Sequence, residues 1–78
     1  MTKLPTRPPL QRAHVVAANI RVELAARGLE TAFFAVSTGA SISRTRDVLY
    51  GREPATVTEI VDLADALDLP IASFFEGV

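Results

Sequence analysis

Apolar residues recur along this chain every three to four positions and do not settle into the alternation of a strand, so the pattern predicts five helices and no sheet. Val16, Ile20 and Leu24 fall at i, i+4 and i+8 and mark the core stripe of a first helix over residues 13–27. Gly28 follows as a C-cap glycine, and Leu29 is the apolar residue that packs back beyond such a cap. A short second helix over 31–38 stops at Gly39. Ser41 is a good N-cap for a third, over 42–50, closed by Gly51. After the loop 52–54, Thr56-Val57-Thr58-Glu59 reads as a capping box, with Thr at the cap and Glu three residues on. The helix it starts buries Ile60, Leu63, Ala64 and Leu67. Pro70 opens a last short helix that buries Ile71 and Phe74.

Composition bounds what such a chain can do. With 78 residues it is one domain, and its 49% hydrophobic content suffices for a core. It has no cysteine and one histidine, His14, which excludes a disulfide framework, a cysteine-bearing zinc or iron–sulfur site and a histidine-rich metal site. His14 is expected to face solvent at a frayed helix start. No apolar run reaches the roughly 18 residues of a membrane span. Pro5, Pro8 and Pro9 stand among the first residues in place of an apolar signal core. The chain is therefore expected to be soluble and cytoplasmic, with no metal and no cofactor.

Charge adds a second level of organisation. Eight cations and nine acids give a formal net charge of −1, but they are not mixed evenly. Residues 1–12 hold Lys3, Arg7 and Arg12 with no acid and are Pro-rich, so they read as a flexible basic arm ahead of a domain at 13–78. Arg44, Arg46 and Arg52 cluster in the middle of the chain, and Asp62, Asp65, Asp68 and Glu76 crowd its last third. Overall charge does not argue for nucleic acid; local charge permits it.

A short helix, the turn Gly39-Ala40-Ser41 and another short helix closed by Gly51 have helix–turn–helix spacing. With Leu29 ahead and Phe34-Ala35 inside the second helix, the segment 29–54 resembles the lambda-repressor-like family, the DNA-binding domains of phage Cro and repressor proteins and their bacterial relatives. The flanks agree. Ile20-Arg21 and Leu24 match the first helix of that family, and Ile60, Leu63-Ala64, Leu67 and Leu69 match the fourth and its exit. The resemblance extends over about residues 15–76. It implies an all-α fold, a compact five-helix lambda-repressor-like helix–turn–helix domain with a flexible N-terminal arm.

The same resemblance implies a function. The third helix would enter the major groove, where each base pair shows its own pattern of donors and acceptors. By position, Ile42, Ser43 and Asp47 stand where family members touch bases, and Arg44 and Arg46 lie on the same helix. At about 100° per residue, 43, 46, 47 and 50 share one face, with 42 and 44 at its edges. Arg46 suits guanine, Asp47 suits cytosine N4 and Ile42 suits a thymine methyl. Thr31, Ser41 and Arg52 are placed for phosphates, and Lys3, Arg7 and Arg12 could reach a minor groove. The chain departs from the family at Thr31, Ala40 and Thr45. Thr45 brings a hydroxyl into a seam that is usually apolar, and the carbonyl four residues back is its expected partner.

Apolar residues also exceed what one core needs. Phe33 and Val36 project from the face opposite Phe34 and Ala35, and Phe75 and Val78 follow Phe74. They are expected to form a dimer or partner surface, with Phe75 and Val78 carrying the two-fold contact. The leading function is a sequence-specific, double-stranded DNA-binding transcriptional regulator, small and Cro-like or repressor-like, which binds an operator as a homodimer. The alternatives are the antitoxin of a toxin–antitoxin pair on the same fold, and a module that binds a regulatory protein and has lost DNA affinity. Enzymatic chemistry is not expected, for the sequence shows neither paired carboxylates placed for a cleft nor a phosphate-binding glycine loop.

Overall fold

Proline begins the first helix. The computed structural model describes residues 9–78, and in it α1 runs Pro9–Ala26. The expected start near Ala13 is thus too late. Proline is tolerated in a first helical turn, where its missing N–H would have no partner anyway and its fixed φ already suits the helix. Arg12 consequently lies within α1 rather than in an arm, while Lys3 and Arg7 lie outside the described residues.

Three further α-helices follow: α2 (Ala32–Thr38), α3 (Ile42–Leu49) and α4 (Val57–Leu67). No strand occurs among the described residues. The fold is all-helical, but the expected fifth helix is a single 3₁₀ turn, Ile71–Phe74. Its backbone bonds span three residues, from Ser73 N–H to the Pro70 carbonyl and from Phe75 N–H to the Ala72 carbonyl, both at 3.0 Å. So short a turn commits one large side chain to the core. Phe74 is fully buried, whereas Ile71, expected to be buried, is exposed at its open end.

All elements contribute to one core. Val16, Ile20 and Leu24 of α1 meet Phe34 of α2, Val48 and Leu49 of α3, and Ile60, Leu63, Ala64 and Leu67 of α4, with Phe74 closing the base. Two helix ends use the same device. Leu29 N–H reaches the Leu24 carbonyl and Leu69 N–H the Ala64 carbonyl, each at 2.9 Å, past a left-handed residue that is Gly28 in one case and Asp68 in the other. Both leucines then pack on the core. Asn19 fastens the C-terminal segment to α1, its amide donating to the carbonyls of Phe74 at 3.0 Å and Glu76 at 2.8 Å.

The α2–α3 connection is fixed by local chemistry. Gly39 takes φ +74°, a left-handed conformation that costs an L-residue strain, and its N–H bonds the Ala35 carbonyl at 2.9 Å. Thr38 Oγ1 donates to the Phe34 carbonyl at 2.7 Å and accepts from Ala40 N–H at 3.2 Å. Ser41 then caps α3 by accepting from Arg44 N–H at 3.0 Å. These bonds orient α3 on the body of the protein.

Candidate nucleic-acid interface

Helix α3 has two distinct sides. Thr45, Val48 and Leu49 are buried in the core, while Ile42, Ser43, Arg46 and Tyr50 are exposed and Asp47 is half-buried at the edge. The face expected from helical spacing, 43, 46, 47 and 50, is therefore the one turned to solvent. Ile42 flanks it and remains 57% exposed. Arg46 makes no ion pair among the described residues.

Arg44 has a different setting from Arg46. Its Nε donates to Glu59 Oε2 at 3.0 Å, and one terminal nitrogen donates to Glu59 Oε1 at 2.8 Å and to the Pro54 carbonyl at 2.9 Å. The same Glu59 closes the capping box of α4, accepting from Thr56 N–H at 2.8 Å while Thr56 Oγ1 accepts from Glu59 N–H at 3.1 Å. Hydrogen bonding to Arg44 holds the Glu59 carboxyl below its ordinary range, and the same bond raises Arg44. Arg44 thus joins α3 to the start of α4, and its half-buried guanidinium is engaged by Glu59 and the Pro54 carbonyl.

The remaining expected residues are dispersed around this face. Thr31 is exposed at the start of α2 and makes no capping bond with its side chain. Ser41 uses its hydroxyl as the α3 cap. Arg52 stands beyond Gly51, its side chain 65% exposed, in a 3.5 Å ion pair with Asp47. Among the apolar candidates, Val36 is 82% exposed and Phe75 is exposed, but Phe33 and Val78 are half-buried and pack against the core. Their assignment to an open surface is corrected accordingly: the small helix α2 and the chain end fold those two side chains inward.

Two residues of this region have no counterpart among the sequence candidates. The Tyr50 ring lies under two guanidinium groups, with Arg21 Cζ 5.9 Å and Arg52 Cζ 5.8 Å from its centroid. Arg21 also donates to the Leu49 carbonyl at the end of α3. An open cleft of about 440 Å³ between α1 and the start of α2 is lined by Arg21, Leu24, Ala25, Leu29, Glu30 and Thr31. Helical spacing places Tyr50 on the exposed face but says nothing of its neighbours. Arg21 is 28 positions from Leu49, and no local pattern announces that bond.

His14 is exposed, as expected, but it lies inside α1 with its backbone against Gly51 rather than at a frayed helix start. Among the described residues no group of three or more His, Asp or Glu could hold a metal ion, and no helix is long and apolar enough to cross a membrane. No protein-family model, no curated protein and no solved structure matches the chain.

Proposed function

We propose that this protein is a sequence-specific, double-stranded DNA-binding transcriptional regulator of the helix–turn–helix type, with α3 as its reading element. The observation that carries this reading is the solvent face of α3, with Ser43, Arg46 and Tyr50 in the open and Arg21 and Arg52 beside the Tyr50 ring. An α-helix fits the major groove. An arginine there can donate bidentately to guanine O6 and N7, and a methyl-bearing side chain such as Ile42 can pack on thymine. The flanking cations supply contacts to the phosphate backbone, which give most of the affinity and none of the sequence information.

With one such helix per chain, a homodimer would read two half-sites about one helical turn apart, roughly 34 Å. The exposed Phe75 near the chain end suits a two-fold contact. Val36, more exposed than any other large apolar residue of the described chain, favours a second protein partner on α2, and an antitoxin role would use it.

The test is selection from a randomised duplex pool, followed by a salt titration of the retained sequence. Enrichment of a palindromic site with a steep salt dependence is the expected result. Weak binding with no enriched sequence overturns this reading and turns attention to a protein partner at Val36.

A further inference from the structure

We propose that Arg21, Tyr50 and Arg52 form a binding site for one backbone phosphate, and that the Asp47 carboxylate holds the anion's place there until DNA docks. This rests on the DNA-binding reading above.

Three observations converge on it. First, two cations from distant parts of the chain share one aromatic ring. Arg21 comes from α1 and Arg52 from the loop after α3, yet both guanidinium carbons lie within 6 Å of the Tyr50 ring centroid. The ring face offsets each cation only in part, which leaves both guanidinium groups able to bond an anion beside it. Second, both cations are positioned by the backbone. Arg21 bonds the Leu49 carbonyl, and the Asp47 carbonyl accepts from Arg52 N–H at 2.8 Å and Glu53 N–H at 3.2 Å, which folds the loop back along α3. Third, Asp47 offers its carboxylate to Arg52 at 3.5 Å, a long and largely solvated ion pair. A pair of this kind is weak. A phosphodiester, which accepts shorter charge-assisted bonds from two guanidinium groups, displaces it readily.

The exchange has a consequence for sequence reading. While Arg52 holds Asp47, the carboxylate is directed along the helix toward the loop. Once Arg52 moves to phosphate, Asp47 is released at the edge of the reading face, where it can accept from a cytosine amino group. Backbone docking would then be coupled to base readout.

The experiment is a salt titration of duplex binding by fluorescence anisotropy, on the selected duplex and on a scrambled one. Arg21→Gln and Arg52→Gln are each expected to lower affinity for both duplexes and to reduce the slope of log K against log salt by about 0.9, the loss of one phosphate contact. Arg21→Lys keeps the charge and is expected to keep the slope. Because Arg21 also supports Leu49, thermal melting of each variant separates lost folding from lost binding. Asp47→Asn is expected to raise affinity for the scrambled duplex by up to about fivefold, the range open to an exposed ion pair. Combined with Arg52→Gln, that gain should vanish.

A gain from Asp47→Asn that persists without Arg52 means general repulsion of DNA and overturns the exchange. An unchanged slope in folded Arg21→Gln, with the unaltered chain still binding its duplex, overturns the phosphate site alone. Failure of the unaltered chain to bind any duplex overturns both the site and the reading on which it rests.

Discussion

Gly51 lies directly beneath His14: a Cβ on this glycine would stand 2.9 Å from the His14 Cα and 2.5 Å from its Nδ1. This close approach sets how near the end of α3 can come to α1. Gly51 also takes φ +75°, so both the backbone angle and the lack of a side chain are used. Gly39 has a similar φ of +74°, but nothing lies within 4 Å of where its Cβ would be.

The pair of glycines therefore separates two costs. Gly39→Ala should destabilise by about 1–2 kcal/mol, the strain of a left-handed L-residue. Gly51→Ala should cost more, about 2–4 kcal/mol, because the α1 backbone must shift as well. For a domain of this size that is a fall in Tm of roughly 8–30 °C. Shortening His14 to Ala should not restore the stability, since the 2.9 Å approach is to its Cα. Thermal melting of the three variants and the double variant decides this, and equal losses at the two glycines would show that the contact with His14 is unimportant.

Glu59 should give the protein a specific acid sensitivity. Its folded-state pKa lies below the ordinary 4.5, first through the hydrogen bond from Arg44. A depressed carboxyl contributes stability that is present above the unfolded value and is lost as pH falls through the folded one. The raised pKa of Arg44 acts only above the accessible range, so it adds no slope here. Stability followed by urea unfolding from neutral pH to about pH 3 should decline below pH 4.5, and Glu59→Gln should flatten that decline. At neutral pH, Glu59→Ala should cost about 1–3 kcal/mol, combining a lost cap with a lost partner for Arg44.

Thr45 is a buried hydroxyl that the fold does not satisfy. It is 3% exposed, and Oγ1 has no hydrogen-bond partner among the described residues. The Ser41 carbonyl, its expected partner, accepts instead from the Thr45 N–H at 2.9 Å. Thr45→Val keeps the shape and removes the unpaired group, so it should stabilise the protein by about 1 kcal/mol. A raised urea midpoint with unchanged m-value is the expected result, and a loss of stability would mean that the hydroxyl is bonded in solution.

What could be read beforehand was local. The stripe Val16, Ile20 and Leu24, the glycine after α1, the Ser41 cap and the Thr56–Glu59 capping box all rest on residues a few positions apart, and the fold has each of them. The departures come from partners distant in sequence. Nothing around Arg44 signals Glu59, 15 positions on, and nothing around Asn19 signals the Phe74 carbonyl, 55 positions away. The roles of Arg21 and Phe33 escape a local reading for the same reason: they depend on which helix lies opposite. The solvent face of α3 was legible because it needs only the helical period, whereas the platform of Arg21, Tyr50 and Arg52 needs the tertiary arrangement.

That contrast is sharpest between Arg44 and Arg46, two positions apart on one helix. Arg44 is bound to Glu59 and the Pro54 carbonyl, whereas Arg46 is exposed on the face opposite the core. Arg44→Ala should therefore act on folding: removing one partner of a half-buried, bidentate pair leaves Glu59 uncompensated, at about 1–3 kcal/mol. Its effect on binding should be similar for all duplexes once unfolded protein is allowed for. Arg46→Ala should leave the melting temperature nearly unchanged, as surface substitutions usually do. On the proposed reading it should weaken the selected duplex by about 1–3 kcal/mol and relax preference at one base pair, with little effect on scrambled DNA. Melting and anisotropy on both variants, against duplexes altered one position at a time, test the pair. If Arg46→Ala weakened every duplex equally, Arg46 would be a backbone contact, and base reading would have to come from Ile42, Ser43 and Tyr50.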